Sequence, residues 1–173
     1  APRAFYHPDR LSAQLLWFES GEVEYRFSLG EIDPVQVEWL EISMELSSNA
    51  PMYRENFKSD IYVGLGETEL GVWTSPGDYG ARRGRFNPSW WSDTSSQYGL
   101  LKTWRVDNQG CTLDGEPLSS VTLADLNLGG QDYLALRIGV HADAAHVGGI
   151  NLFGEQFGDF AQGIVVRVGY AKP

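Results

Sequence analysis

Val23, Tyr25 and Phe27 alternate with Glu22, Glu24 and Arg26, the period-two pattern of a strand with one buried face. Gln14 to Glu19 precedes them across Ser20-Gly21, so the two runs predict a hairpin turned by the Ser-Gly pair. Val35, Val37 and Trp39 fall on one face of the next run, and Leu40, Ile42, Met44 and Leu46 fall on the opposite parity. A β-bulge between Trp39 and Leu40 would return both sets to the core. Asp60 to Leu65 and Glu69 to Trp73 predict a strand pair, and Leu100 to Val106 a further strand. Asp114-Gly115 marks a hairpin turn inside Cys111 to Leu118. Tyr133 to Val140 and Ile164 to Tyr170 are long β-branched or aromatic strands. Thr122-Leu123-Ala124-Asp125 reads as a capping box with Asp in place of Glu, which starts one short helical turn.

Eight to ten short strands with so little helix predict an all-β fold. Its expected form is a two-sheet antiparallel sandwich, jelly-roll-like, with at most one or two short helical turns. Residues 1–12 lack any period and contain Pro2 and Pro8; they are read as an N-terminal arm or linker, and 13–173 as one β-sandwich ligand-binding domain. Two segments, Ser75 to Tyr98 and His141 to Gln162, do not read as strands. Long irregular segments in a compact domain are functional or disordered, and these two carry too many aromatic and aliphatic residues to be disordered.

The chain has 173 residues and a formal net charge of -10. A domain of this length buries roughly 70% of its extended surface, so its core stands without a disulfide or metal staple. The acidic balance argues against direct binding of nucleic acid, which needs a basic face, and against anionic membranes. No apolar run approaches the ~20 residues that cross a bilayer as a helix. The single cysteine, Cys111, has no internal partner and suits a reducing, cytoplasmic setting.

Candidate chemistry concentrates in the two long segments. Arg82, Arg83 and Arg85 hold three of thirteen basic residues, beside the adjacent Trp90 and Trp91. Neighbouring extended residues point to opposite sides, so one indole can be core while the other faces a groove. Guanidinium groups beside an aromatic platform can grip a carboxylate, a phosphate or a polyhydroxylated ring; the structural alternative is that these arginines only pair with Asp78, Asp93 and other carboxylates. In the second segment Asn151, Glu155, Gln156, Asp159 and Gln162 are interleaved with Phe153, Phe157 and Phe160, the make-up of a polar and aromatic pocket wall. His146, Asn151, Glu155 and Asp159 are the candidates for ligand contact; the structural alternative is that the glycines permit tight turns while the phenylalanines plug one end of the sandwich. His141, Asp143 and His146 offer nitrogen and oxygen donors, but their spacing matches no established metal motif, so no metal and no cofactor is expected. There is no G-x-S-x-G, no Gly-rich phosphate loop, no H-E-x-x-H and no C-x-x-C. The expectation is therefore a binding domain and not an enzyme, although the many carboxylates leave a glycosidase pair open.

Five stretches carry a resemblance: Thr74 to Gly80, Arg82 to Arg85, Pro88 to Asp93, Gln97 to Val106 and His146 to Asp159. Together they resemble the C-terminal, non-DNA-binding domain of bacterial transcription regulators whose N-terminal domain is an ArsR-class winged helix-turn-helix. The similarity runs from about Leu15 to Tyr170. It implies a sensory or effector domain that binds a ligand or mediates assembly as a homodimer, while DNA contact belongs to an N-terminal domain that this sequence lacks. The metal-binding cysteines of arsenic sensors are absent here, which argues against metalloid sensing. The ligand is expected to be a carbohydrate or similar polar small molecule; a stand-alone carbohydrate-binding module is the alternative, and a sugar-active enzyme a third reading.

Overall fold

The computed structural model describes residues 2–172; Ala1 and Pro173, the outer limits of the expected arm and domain, lie outside them. Eleven strands follow one another: β1 (Leu15–Phe18), β2 (Gly21–Ser28), β3 (Val37–Ser47), β4 (Ser59–Leu65), β5 (Thr68–Ser75), β6 (Leu100–Val106), β7 (Cys111–Leu113), β8 (Glu116–Ser119), β9 (Tyr133–Val140), β10 (Ile150–Phe153) and β11 (Val165–Tyr170). They form two antiparallel sheets. One has the order β1-β10-β3-β6-β7-β8, with β11 also paired to β3; the other is β2-β9-β4-β5. β10 and β11 lie end to end along the same edge of β3, paired to Glu45–Ser47 and to Val37–Ser43 respectively. The fold is thus the all-β two-sheet sandwich expected from the alternation.

Leu40, Ile42, Met44 and Leu46 point inward from β3 and are almost fully buried. They share one core with Ile61, Val63 and Leu65 of β4 and with Leu134, Leu136 and Ile138 of β9. Each such side chain stabilises the fold by about 1.5–3 kcal/mol through burial alone. The Asp114-Gly115 turn closes β7 onto β8 with both residues at positive φ (50° and 85°). The one α-helix among the described residues, α1 (Leu123–Leu126), starts where the Thr122 N–H donates to Asp125 Oδ2 at 2.9 Å, as the capping-box pattern indicates.

Three expectations are corrected. β1 and β2 are not a hairpin: β1 pairs with β10 and β2 with β9, in different sheets. Alternation says that a strand has one buried face but not which strand lies beside it. Gly21, at φ 102°, turns the chain from one sheet to the other in a conformation that other residues rarely adopt. Second, the phase slip in β3 occurs one residue earlier than expected. Gly169 pairs with Trp39 but Tyr170 with Val37, so Glu38 is the extra residue. Only Val37 reaches the core. Trp39 stays on the outer face, where a Cβ on Gly169 would lie 2.0 Å from its ring, and Val35 sits in a 3-10 turn, 86% exposed. Third, Ile150–Phe153 forms β10 inside the segment read as a loop.

The alternation that buries Leu40 to Leu46 turns Glu41, Ser43, Glu45 and Ser47 to the outer face of the seven-stranded sheet. Both long segments pack over the upper part of that face.

Candidate functional site

Glu45 is the post to which the two segments are tied. It is fully buried, and its carboxylate accepts backbone N–H bonds from Gly99 (2.9 Å), Asp159 (2.9 Å) and Phe160 (3.1 Å). Burial pushes its carboxyl above the usual range; the three amides pull it back without cancelling that effect. Gly158 lies so close over it that a Cβ there would fall 2.4 Å from Oε1. Asp78 does the same work one step along the sheet. Its Oδ2 accepts from the Ala50 N–H and the Ser96 hydroxyl, both at 2.8 Å. Asn151, next to them on β10, bonds Ser96, Ser47 and the Ser48 carbonyl. Asp78 is likewise buried and pushed up, by burial first. These carboxylates hold loops; neither is open to a ligand.

The two segments lie together at one end of the sandwich. Phe86 N–H donates to the Gly158 carbonyl at 2.9 Å and Gly158 N–H to Asn87 Oδ1 at 2.7 Å. Arg82 binds Asp159 through two hydrogen bonds, 3.0 and 2.6 Å, with its guanidinium 3.8 Å above the Tyr98 ring. Asp159 feels opposing forces: burial raises its carboxyl, but Arg82 and the Arg85 N–H lower it further, so the net shift is downward. Arg83 is turned back on its own loop. It donates to the carbonyls of Trp91 and Pro88 and pairs with Asp93 Oδ1 at 2.6 Å. Two of the three arginines are therefore occupied inside the protein. The Arg85 side chain is exposed and makes no ion pair among the described residues.

Trp90 and Trp91 divide, one exposed and one half-buried, but not as extended neighbours: they lie in a turn in which the Trp91 N–H donates to the Pro88 carbonyl at 3.0 Å. Trp91 is half-buried edge-on against Phe157, ring centres 4.9 Å apart, and its Nε1–H donates to the Ser96 carbonyl at 2.8 Å. Trp90 stands 76% exposed against the edge of Trp91. Of the remaining candidates, Asn151 is 1% exposed and serves the Ser96 network, and Glu155 is on the surface. His146 is not brought to this end of the molecule's outer sheet face. It is drawn to the four-stranded sheet, its Nδ1 3.2 Å from Asp60 Oδ1. His141 is stacked on Tyr62, ring centres 4.0 Å apart. No group of three His, Cys, Asp or Glu among the described residues is arranged to hold a metal ion. Cys111 is 2% exposed and burial pushes its thiol to about 11, so it is a packing residue.

No enclosed pocket is formed by the candidate residues. An open depression of 870 Å³ lies on the outer face of the four-stranded sheet beside α1, between Arg26, Tyr133 and Asn127. A smaller one of 200 Å³ lies on the outer face of the seven-stranded sheet. The loop-built end is a surface, with Trp90 and Arg85 as its free groups. Sequence reasoning missed Glu45 and the exposed Trp17, which stands on β1 opposite Asn151, 57% exposed. Glu45 carried a signal: it is an acid on the polar parity of a strand whose neighbouring outward positions, Glu41 and Ser43, are half-exposed. What marks it as different is the loop above, which the strand pattern does not report.

No family model, curated protein or solved structure matches the chain.

Proposed function

We propose that this domain works by binding and not by catalysis, and that it takes a carbohydrate or similar polyhydroxylated molecule on the loop-built end around Trp90. The observation that carries this reading is Trp90 itself. A large indole is held out in water on a loop that has little freedom to fold it away. The Arg83 guanidinium ties Trp91, Pro88 and Asp93 together, and the Trp91 Nε1–H ties the base of the loop to Ser96. A preorganised, exposed aromatic ring stacks on the C–H face of a sugar at little entropic cost. Arg85 of the same loop, exposed and without an ion pair among the described residues, supplies donors to hydroxyl or acidic oxygens.

The surface is open and shallow, which favours a ligand lying across it over a molecule swallowed whole. Trp17 is a second exposed indole, on the edge strand β1. It neighbours Asn151, which bonds Ser96, which in turn accepts from Trp91. In the setting that the ArsR resemblance implies, this is the effector domain of a cytoplasmic transcription regulator, and ligand binding is reported to a DNA-binding domain elsewhere. Glu45, Asp78 and Asp159 are committed to amide, hydroxyl and guanidinium partners, which speaks against any two of them as a glycosidase pair.

A glycan array probed with the labelled domain, beside its Trp90→Ala variant, tests the reading. At least one glycan class should bind, and the variant should bind about thirtyfold more weakly, the ~2 kcal/mol of an aromatic hot spot, with its melting temperature unchanged. Binding that survives Trp90→Ala undiminished, or an array with no positive, would refute it.

A further inference from the structure

The two loops leave the lower half of the seven-stranded sheet's outer face open. Just below Glu45 this face sinks into the groove of 200 Å³. Ligand pockets for drug-sized molecules run to about 300–1,000 Å³, so this one accommodates a single ring. Ser43 of β3 and Thr103 of β6 lie directly opposite each other in register and form its floor. Leu101 and Val165 form aliphatic walls. Gln162 closes the loop side, its Nε2 donating to Ser43 Oγ at 3.2 Å. Glu41 and Arg167, opposite each other in β3 and β11, close the other end.

The polar groups here are fixed but not used up. Glu41 Oε1 accepts from Arg105 at 3.1 Å, and Arg105 is stacked 4.8 Å from the Trp39 ring, so the carboxylate is held in place with Oε2 free. Gln162 is anchored through its nitrogen, which leaves its Oε1 as an acceptor without a partner among the described residues. The Thr103 hydroxyl and the Arg167 guanidinium have no side-chain partner among the described residues. Acceptors, a cationic donor and two hydroxyls thus surround a space with apolar sides. At one end two guanidinium groups, Arg105 and Arg167, are matched by two carboxylates, Glu41 and Asp107, so neither an anion nor a cation is favoured there. No aromatic ring lines the space to stack a flat base.

A neutral polyhydroxylated ring matches that arrangement. Each of its hydroxyls both donates and accepts, and its C–H faces are apolar. We infer that the groove is a second binding site, separate from Trp90, for one neutral pyranose-like ring. The site stands whether or not Trp90 binds a ligand, since the two share no residue.

The experiment is a titration of the intact ¹⁵N-labelled domain with methyl glucoside, methyl galactoside and methyl mannoside, beside glucuronate and glucosamine as charged controls. The probes are the Gln162 side-chain amide and the Arg167 Nε–H. At least one neutral glycoside should move both resonances saturably. Thr103→Val and Arg167→Met should each weaken that binding about tenfold, the weight of one hydrogen bond to a charged or fixed partner, and Trp90→Ala should leave it unchanged. Both substitutions are on the sheet surface, and an otherwise unaltered amide spectrum shows that the fold is kept. The inference is overturned if none of the three glycosides moves these resonances, if only a charged sugar does, or if the shifts persist in both variants.

Discussion

Replacing Glu45 by alanine strips the acceptor from three backbone donors at once: Gly99, Asp159 and Phe160. A buried donor left without a partner costs about 1–3 kcal/mol. Gly99 is buried and carries about 2 kcal/mol; Asp159 and Phe160 are half-buried and regain water in part, at about 1 kcal/mol each. Relief of the buried carboxylate's desolvation offsets about 1 kcal/mol of this, so the expected loss is about 3 kcal/mol, a large share of a domain's ~5–15 kcal/mol. Glu45→Gln keeps one carbonyl oxygen in place and should lose about 1–2 kcal/mol. Burial raises the folded carboxyl above its unfolded value of 4.5. The folded state then binds the proton more readily, so wild-type stability falls as pH rises from 4.5 through the folded pKa and is regained on acidification. The glutamine variant lacks that response. Urea unfolding followed by tryptophan fluorescence, at neutral pH and near pH 4.5, should show the wild-type margin over Glu45→Gln widening in acid. An alanine loss below ~1 kcal/mol, or a margin that narrows in acid, would refute the role of Glu45 as the post for both loops.

Trp91→Ala should destabilise by about 3 kcal/mol in the same assay, whereas Trp90→Ala should stay within ~0.5 kcal/mol; equal losses would mean that both rings are core. Asp159→Asn should cost about 1 kcal/mol near neutral pH, a modest figure because Arg82 is half-exposed. The Asp159 carboxyl is held below its ordinary 3.8, so its contribution is present above that value and lost as pH falls through the folded pKa; a loss that is the same at pH ~2 and at neutrality would contradict the Arg82 pairing. Cys111 should react with a thiol reagent only as fast as the domain unfolds, given its burial and raised pKa, and rapid labelling of folded protein would overturn that. Chelation should leave the melting temperature unchanged; a drop restored by one divalent ion would point to His141, Asp143 and His146.

The strands were legible because a sandwich strand writes its burial into its own alternation. β6 and β9 fall on the residues that the pattern marks, and the Asp114-Gly115 turn and the Thr122 cap are local chemistry. What failed was anything set by a distant partner. The Ser20-Gly21 corner has the composition of a hairpin turn, yet joins two sheets. β10 is four residues between glycine-rich stretches, and only its place between β1 and β3 makes it a strand. Within the candidate site, the split between Trp90 and Trp91 was expected from an extended backbone, but the turn from Pro88 sets it. That Arg82 and Arg83 are consumed by Asp159 and Asp93 was the weighed structural alternative, and sequence could not choose. His146 went to the other sheet because Asp60, 86 positions away in sequence, binds both its ring and its backbone.

Indole Nε1–H resonances report most directly on whether Trp90 carries the ligand. The domain has six tryptophans, and each gives one such signal in a ¹⁵N spectrum, assignable by single Trp→Phe substitutions. On titration with a glycan selected by the array, the Trp90 signal should shift saturably with the same midpoint as the backbone amides of its loop. The signals of Trp91, bonded to Ser96, and of Trp104, fully buried, should stay in place. A glycan that binds while Trp90 stays fixed and another indole moves would contradict the reading.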